Sequence, residues 1–205
     1  MPCAIVVSVI FAVLFVCTGN VCRSPVAERL FLARLAPGAP VTASSAGAGA
    51  LEGYGIDGPS AAALRELGAD PAGHQARSLT ESMVAEANLI LTAQTAHRGA
   101  VLQANPTAMR RTFTLREFGR LAAALPSPRG LPALEGLRAR VSEVADQRGV
   151  VSAGQPRGDD IGDPFGASFD IARACAAQVG AAVDAVLDTL GVRGSVAAGG
   201  VQGEV

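Results

Sequence analysis

The 205-residue chain has no tryptophan, one tyrosine (Tyr54) and no lysine, so all 17 basic side chains are arginine. The missing lysine excludes Schiff-base chemistry and any catalytic amine on a side chain. Aromatic residues are only 4% of the chain, too few for a surface that stacks nucleobases. Neither charge is in excess. The 17 basic and 18 acidic residues leave a formal net charge of −1, without the basic field that nucleic acid requires. Four cysteines, Cys3, Cys17, Cys22 and Cys175, are too few and too scattered for a disulfide scaffold, and none forms a CxxC pair. The two histidines, His74 and His97, lie far from metal-ligand spacing, so no metal is expected. No apolar run is long enough to cross a bilayer. The longest, CAIVVSVIFAVLFVC at residues 3–17, falls short of about 20 residues. It also lacks the charged flank and small-residue cleavage site of a secretion signal. It reads as a buried central strand, for which Phe11–Val16 suffices, preceded by an apolar extension over residues 1–10. The chain is expected to be cytoplasmic, with no membrane contact.

What is present is a large apolar fraction, 49% of residues against 17% charged, with a mean hydropathy of +0.33. That excludes a mostly disordered chain and supplies a substantial core. After the first strand, Ser24-Pro25 predicts a helix start, serine as N-cap and proline at the first helical position. Strands are expected at Val41–Ala46, Asn88–Ala93 and Arg111–Leu115. Helices are expected at Pro59–Leu67, Thr95–Gln103, Leu115–Leu125, Leu134–Gln147 and Ala167–Leu190. The alternation predicts an α/β chain whose parallel sheet is covered on both faces. Gly-rich residues 191–205 read as a disordered tail. Arg110, Arg111, Arg116 and Arg120 read as a solvated basic face.

The chemistry is concentrated where the first strand meets the first helix, in Cys17-Thr18-Gly19-Asn20-Val21-Cys22-Arg23-Ser24-Pro25. In open parallel sheets ligands bind beyond the carboxyl ends of the strands. Backbone N–H groups there converge on an oxyanion, and the helix dipole adds positive potential. Arg23, six residues after Cys17, offers a bidentate grip on two oxygens. Gly19 gives the backbone freedom, Asn20 pins an unusual loop conformation, and Ser24 is within reach of the sulfur. The spacing suits nucleophilic attack on phosphorus by Cys17.

With these residues the chain resembles the low-molecular-weight protein-tyrosine phosphatase family, whose signature is VCxGNxCRSP. Three further landmarks follow in family order: Ser44-Ser45-Ala46-Gly47, Gly73-His74-Gln75-Ala76-Arg77 and Asp163-Pro164-Phe165-Gly166. The resemblance implies a three-layer α/β/α sandwich around a central four-stranded parallel sheet. It also implies a single phosphatase domain over residues 11–190, with a loop and helix enlargement at 120–160. Cys17 would become a phosphocysteine, Arg23 would clamp phosphate, and Asp163 would act as general acid and then base. Thr18, Gly19, Val21 and Cys22 would give mainly backbone amides. Asn20, Ser24, Ser45 and His74 would organise the loop. Tyr54 and Phe165 would form the pocket walls.

No cofactor is implied. The partner would be a phosphotyrosine protein, supplied by a cognate tyrosine kinase. Asp159 and Asp160 compete with Asp163 for the acid role, which Pro164 favours for Asp163 by stiffening the chain after it. Cys22 is either inert packing or a trap for oxidised Cys17, and Cys175 reads as core. An arsenate reductase, a small-molecule phosphatase and a noncatalytic phosphotyrosine-binding module are the competing readings.

Overall fold

A computed structural model describes residues 10–128, 132–152 and 158–194. Four strands, β1 (Phe11–Cys17), β2 (Val41–Gly47), β3 (Leu89–Thr92) and β4 (Thr112–Thr114), form one parallel sheet in the order β2-β1-β3-β4. The helices are α1 (Arg23–Arg34), α2 (Gly58–Glu66), α3 (Glu81–Glu86), α4 (Thr95–Ala104), α5 (Leu115–Ala122), α6 (Leu134–Asp146) and α7 (Phe169–Leu190). The sheet with helices on both sides is the expected three-layer sandwich.

β1 shows why the layering follows from sequence. Side chains alternate across a strand, and β1 is apolar on both faces because helices cover both faces of the sheet. Phe11, Val13 and Phe15 join the larger core with residues of α1, α2, α5, α6 and α7. Leu14 and Val16 face the other way, into a smaller core with Val84, Ala87, Ile90 and Val101 from the α3 and α4 side. Edge-to-face pairs Phe15–Phe31 and Phe113–Phe118, with centroids 5.7 and 5.1 Å apart, fill the larger core.

Several expectations change on inspection. Helix α1 starts at Arg23 with Cys22 as N-cap, and no side chain caps it; the Ser24 hydroxyl is used elsewhere. The strand expected at Arg111–Leu115 shrinks to Thr112–Thr114, because a 3-10 turn over Pro106–Arg111 precedes it and α5 follows at once. The first residues of the expected tail are packed. Gly191 ends α7 in the left-handed region (φ 67°) and Val192 is fully buried. Ala36 N–H donates to the Val192 carbonyl at 2.8 Å, and Arg193 pairs with Asp184 and Asp188. Residues 195–205, like 1–9, lie outside the described residues.

Candidate active site

The loop between β1 and α1 is turned inside out by its neighbours. The carbonyls of Cys17, Thr18, Gly19 and Val21 accept N–H groups of Ala48, Gly49, Leu51 and Asp57 at 2.9–3.0 Å. The Asn20 carbonyl accepts His74 Nε2 at 2.7 Å. In a trans peptide the C=O and the following N–H point in opposite directions. Five anchored carbonyls therefore turn the amides of Thr18 through Cys22 toward the inner side of the loop. Gly47 makes this approach possible, since a Cβ there would lie 2.4 Å from the Thr18 carbonyl oxygen.

Asn20 holds the loop's sharpest bend. Among the described residues it is the one non-glycine with positive φ, at 56°, a conformation asparagine tolerates at modest cost. It is fully buried, and every polar group of its side chain is used. Its Nδ2 donates to Ser24 Oγ and Ser45 Oγ, both at 2.9 Å, and its Oδ1 accepts the Arg77 N–H. Ser24 Oγ lies 2.9 Å from Cys17 Sγ and 3.4 Å from the Ala46 carbonyl. Toward a thiolate only the hydroxyl can donate, and that contact favours negative charge on the sulfur. Ser45 likewise gives its hydrogen to Glu28 Oε2 at 2.5 Å. Glu28, the far end of this chain, was missed in the sequence reading. Its only signal there is its place one helical turn after Ser24.

Arg23 is 2% exposed. Its Nη1 donates to the Ile161 carbonyl at 3.0 Å, and its Nη2 donates to Asp163 Oδ2 at 2.5 Å and Thr18 Oγ1 at 3.3 Å. Its Nε is buried without a hydrogen-bond partner. A buried donor left unpaired costs about 1–3 kcal/mol; the Nε atoms of Arg29 and Arg111 are in the same condition.

The acid-bearing segment settles which aspartate faces that cavity. Asp159 is held by Arg120 through Nε and Nη2, at 3.1 and 2.6 Å, so Arg120 is not a free member of a basic face. Asp160 accepts the N–H and hydroxyl of Thr95 at 2.7 and 2.9 Å, at the start of α4. Ile161 N–H donates to the Ala93 carbonyl at 2.9 Å, and Cys175 Sγ donates to the Gly162 carbonyl at 3.7 Å. Only Asp163 of the three is directed at Arg23, with its side chain 43% exposed.

The cavity, about 200 Å3, is lined by Cys17, Thr18, Gly19, Val21, Cys22, Arg23, Gly49, Leu51, Asp163 and Phe165. Phe165 takes its expected place. Tyr54 does not: it is 67% exposed, and Leu51 forms the wall in its stead because the loop carbonyls capture the 48–51 segment. His74 is half-buried and holds the loop from behind. Burial pushes its pKa below the usual histidine value, and Arg29 and Arg77 act the same way against Asn20 and Glu28. Cys22 gives its thiol hydrogen to Asp57 Oδ1 at 3.0 Å. Burial first, then Asp57, pushes that thiol far above its ordinary range. Cys17, Cys22 and Cys175 are all free. Among the described residues no cluster of histidine, cysteine and carboxylate suits a metal ion, and no helix is long and apolar enough to cross a membrane.

The family model for "Low molecular weight phosphotyrosine protein phosphatase" matches residues 12–147. The chain is 37% identical over 123 residues to a probable low molecular weight protein-tyrosine-phosphatase, EpsP, of Ralstonia nicotianae, covering 60% of this chain and 83% of that one. Among solved structures it is similar to the YwlE arginine phosphatase from Geobacillus stearothermophilus, with a TM-score of 0.65 at 27% identity over 88% of this chain and 93% of that one. It is similar also to a low molecular weight protein tyrosine phosphatase from T. tengcongensis, with a TM-score of 0.64 at 27% identity over 88% and 99%.

Proposed function

The chain belongs to the low molecular weight phosphotyrosine protein phosphatase family, and from that premise we propose that it hydrolyses phosphotyrosine in proteins through a phosphocysteine on Cys17. The observation that carries the reading is that a guanidinium 2% exposed and the Cys17 sulfur line one cavity at the inner side of a loop whose carbonyls are all held outward. A phosphate dianion entering the loop meets the inward amides and the guanidinium of Arg23. Both stabilise the charge that spreads over its oxygens in the transition state.

In the first step Cys17 Sγ attacks phosphorus, and the S–P bond forms as the bond to the tyrosyl oxygen breaks. Protonated Asp163 gives its hydrogen to that oxygen. In the second step Asp163 takes a proton from water, the water oxygen attacks phosphorus, and the S–P bond breaks. Inorganic phosphate and the Cys17 thiolate are the products. Ser24 supports both steps by donating to the sulfur whenever it carries charge. A tyrosine kinase would supply such a substrate.

Apolar walls of Val21, Leu51 and Phe165 favour an aryl leaving group, with Phe165 placed to stack on its ring. The likeness to an arginine phosphatase supports a second reading, protein phosphoarginine. Against it, the one carboxylate lining the cavity is Asp163. An arsenate reductase would need a second thiol to relieve Cys17. Cys22 and Cys175 are poor candidates, because burial pushes both thiols up, that of Cys175 to about 11.

The test is phosphate release from a phosphotyrosyl peptide, in EDTA and a small thiol, by the unmodified protein and by Cys17→Ser. A phosphoarginyl peptide and arsenate are run in parallel. The proposal expects release from phosphotyrosine that the substitution abolishes. Preference for phosphoarginine would move the substrate class to the second reading. Arsenite formation without phosphate release would overturn both.

A further inference from the structure

The start of α4 meets both loops of the site. Ala93 and Thr95 hold the acid-bearing segment through Ile161 and Asp160, and His97, in the first turn of α4, reaches the phosphate loop. His97 is 6% exposed. Its Nδ1 accepts the Gln94 N–H at 3.2 Å, so the hydrogen of the neutral ring sits on Nε2. That nitrogen lies 2.9 Å from Thr18 Oγ1 and is the donor. Thr18 Oγ1 also accepts from Arg23 Nη2 at 3.3 Å. Its two lone pairs are then filled, and its own hydrogen is left to be offered to another acceptor.

We propose that His97 is a positioning residue for phosphate recognition: by donating to Thr18 Oγ1 it fixes the hydroxyl against which Arg23 Nη2 is registered. Two constraints orient that guanidinium on the protein side, the Ile161 carbonyl at Nη1 and the Thr18 hydroxyl at Nη2. The third contact, Asp163, is the group expected to leave Arg23 and serve the substrate's oxygen. Once phosphate has displaced it, Thr18 is what keeps Nη2 in place to meet the incoming oxygen. His97 holds Thr18 only while its ring is neutral, because a proton on Nδ1 would face the Gln94 N–H. Burial keeps it neutral, with the positive charge of Arg23 acting the same way; Asp163 and Asp160 act in the opposite sense.

The inference rests on the phosphatase reading, so its test uses a measurement that does not need turnover. Binding of inorganic phosphate is measured by calorimetry in the unmodified protein, His97→Leu and His97→Gln, beside kcat and KM for an aryl phosphate. His97→Leu is expected to weaken phosphate binding about tenfold, the scale of one hydrogen bond near a charged group. His97→Gln, which keeps an N–H donor of similar reach, is expected to restore most of it. In a Thr18→Val background His97→Leu should add less than about twofold, because the contact it would break is already gone. Phosphate affinity unchanged in His97→Leu would overturn the proposal. So would equal losses in the leucine and glutamine variants, or a full additional loss in the Thr18→Val background, any of which would make the role structural. Failure of the unmodified protein to release phosphate while its phosphate binding still depends on His97 would count against the phosphatase reading alone.

Discussion

The phosphate loop and the acid-bearing segment stand on opposite sides of one cavity and are built in opposite ways. The phosphate loop is one short continuous segment. Cys17, Asn20 and Ser24 are at most seven positions apart and joined by hydrogen bonds of 2.9 Å each, and residues 45–77 hold that segment from behind. The acid segment has little local structure between Asp159 and Phe165. It is held by Arg120, Thr95, Ala93 and Arg23, the last 140 residues away in sequence. A strand-to-helix turn presents its amides and dipole from one segment, whereas a side chain on a separate loop must be aimed across the cavity by contacts from other elements. The two regions should therefore fail differently.

The largest expected effect is at Cys17. Cys17→Ser should reduce turnover about 10⁴-fold or more while inorganic phosphate still binds, which calorimetry and steady-state kinetics together would read. Retained turnover would remove the covalent step. Asp163→Asn is expected to lower kcat about 10²–10⁴-fold, most for poor leaving groups, with phosphate affinity kept. A rate equal to that of the unmodified protein for every leaving group would show that the acid lies elsewhere.

Asn20→Ala attacks the local region. It leaves the Arg77 N–H and two serines without their partner and removes the residue suited to positive φ, so a loss of about 1–3 kcal/mol of stability is expected. Thermal unfolding and phosphate affinity should both drop. Arg120→Ala attacks the remote region. With Asp159 released, kcat should fall about tenfold, since one tether of several is lost, and phosphate affinity should hold. If Arg120→Ala weakened phosphate binding as much as Asn20→Ala, the contrast between the regions would dissolve.

The smallest effect concerns pH. Both histidines have pKa values pushed below 6.5 by burial, so just below pH 6.5 the unfolded chain takes up protons that the native one refuses. Stability should fall as pH drops through that range. Denaturant midpoints in a His74→Gln and His97→Gln double variant, compared with the unmodified protein, should show a shallower fall.

Much of this was legible in order along the chain. Cys17 and Arg23 could be assigned because their relation is a spacing of six across a strand-to-helix turn. β1 could be placed because a continuous apolar run implies burial on both faces. Boundaries drifted where two local preferences competed. Ser24 has the chemistry of an N-cap, yet its hydroxyl serves the sulfur and Cys22 takes the cap position. Asp57 sits at the N-cap of α2, and its carboxylate takes the Cys22 thiol instead.

The sequence by itself determined the order of strands and helices along the chain and the loop that brings Cys17 and Arg23 together, because those follow from patterns only a few residues long. Tertiary structure places Asp163, the aspartate the sequence favoured, at the cavity, and it alone decided that Leu51 and not Tyr54 lines the wall and that Glu28 and His97 complete the networks behind the loop. Thr18 and His97 are 79 residues apart, and Arg120 and Asp159 are 39. Pairings of that range depend on how the layers pack, and packing depends on the whole core at once.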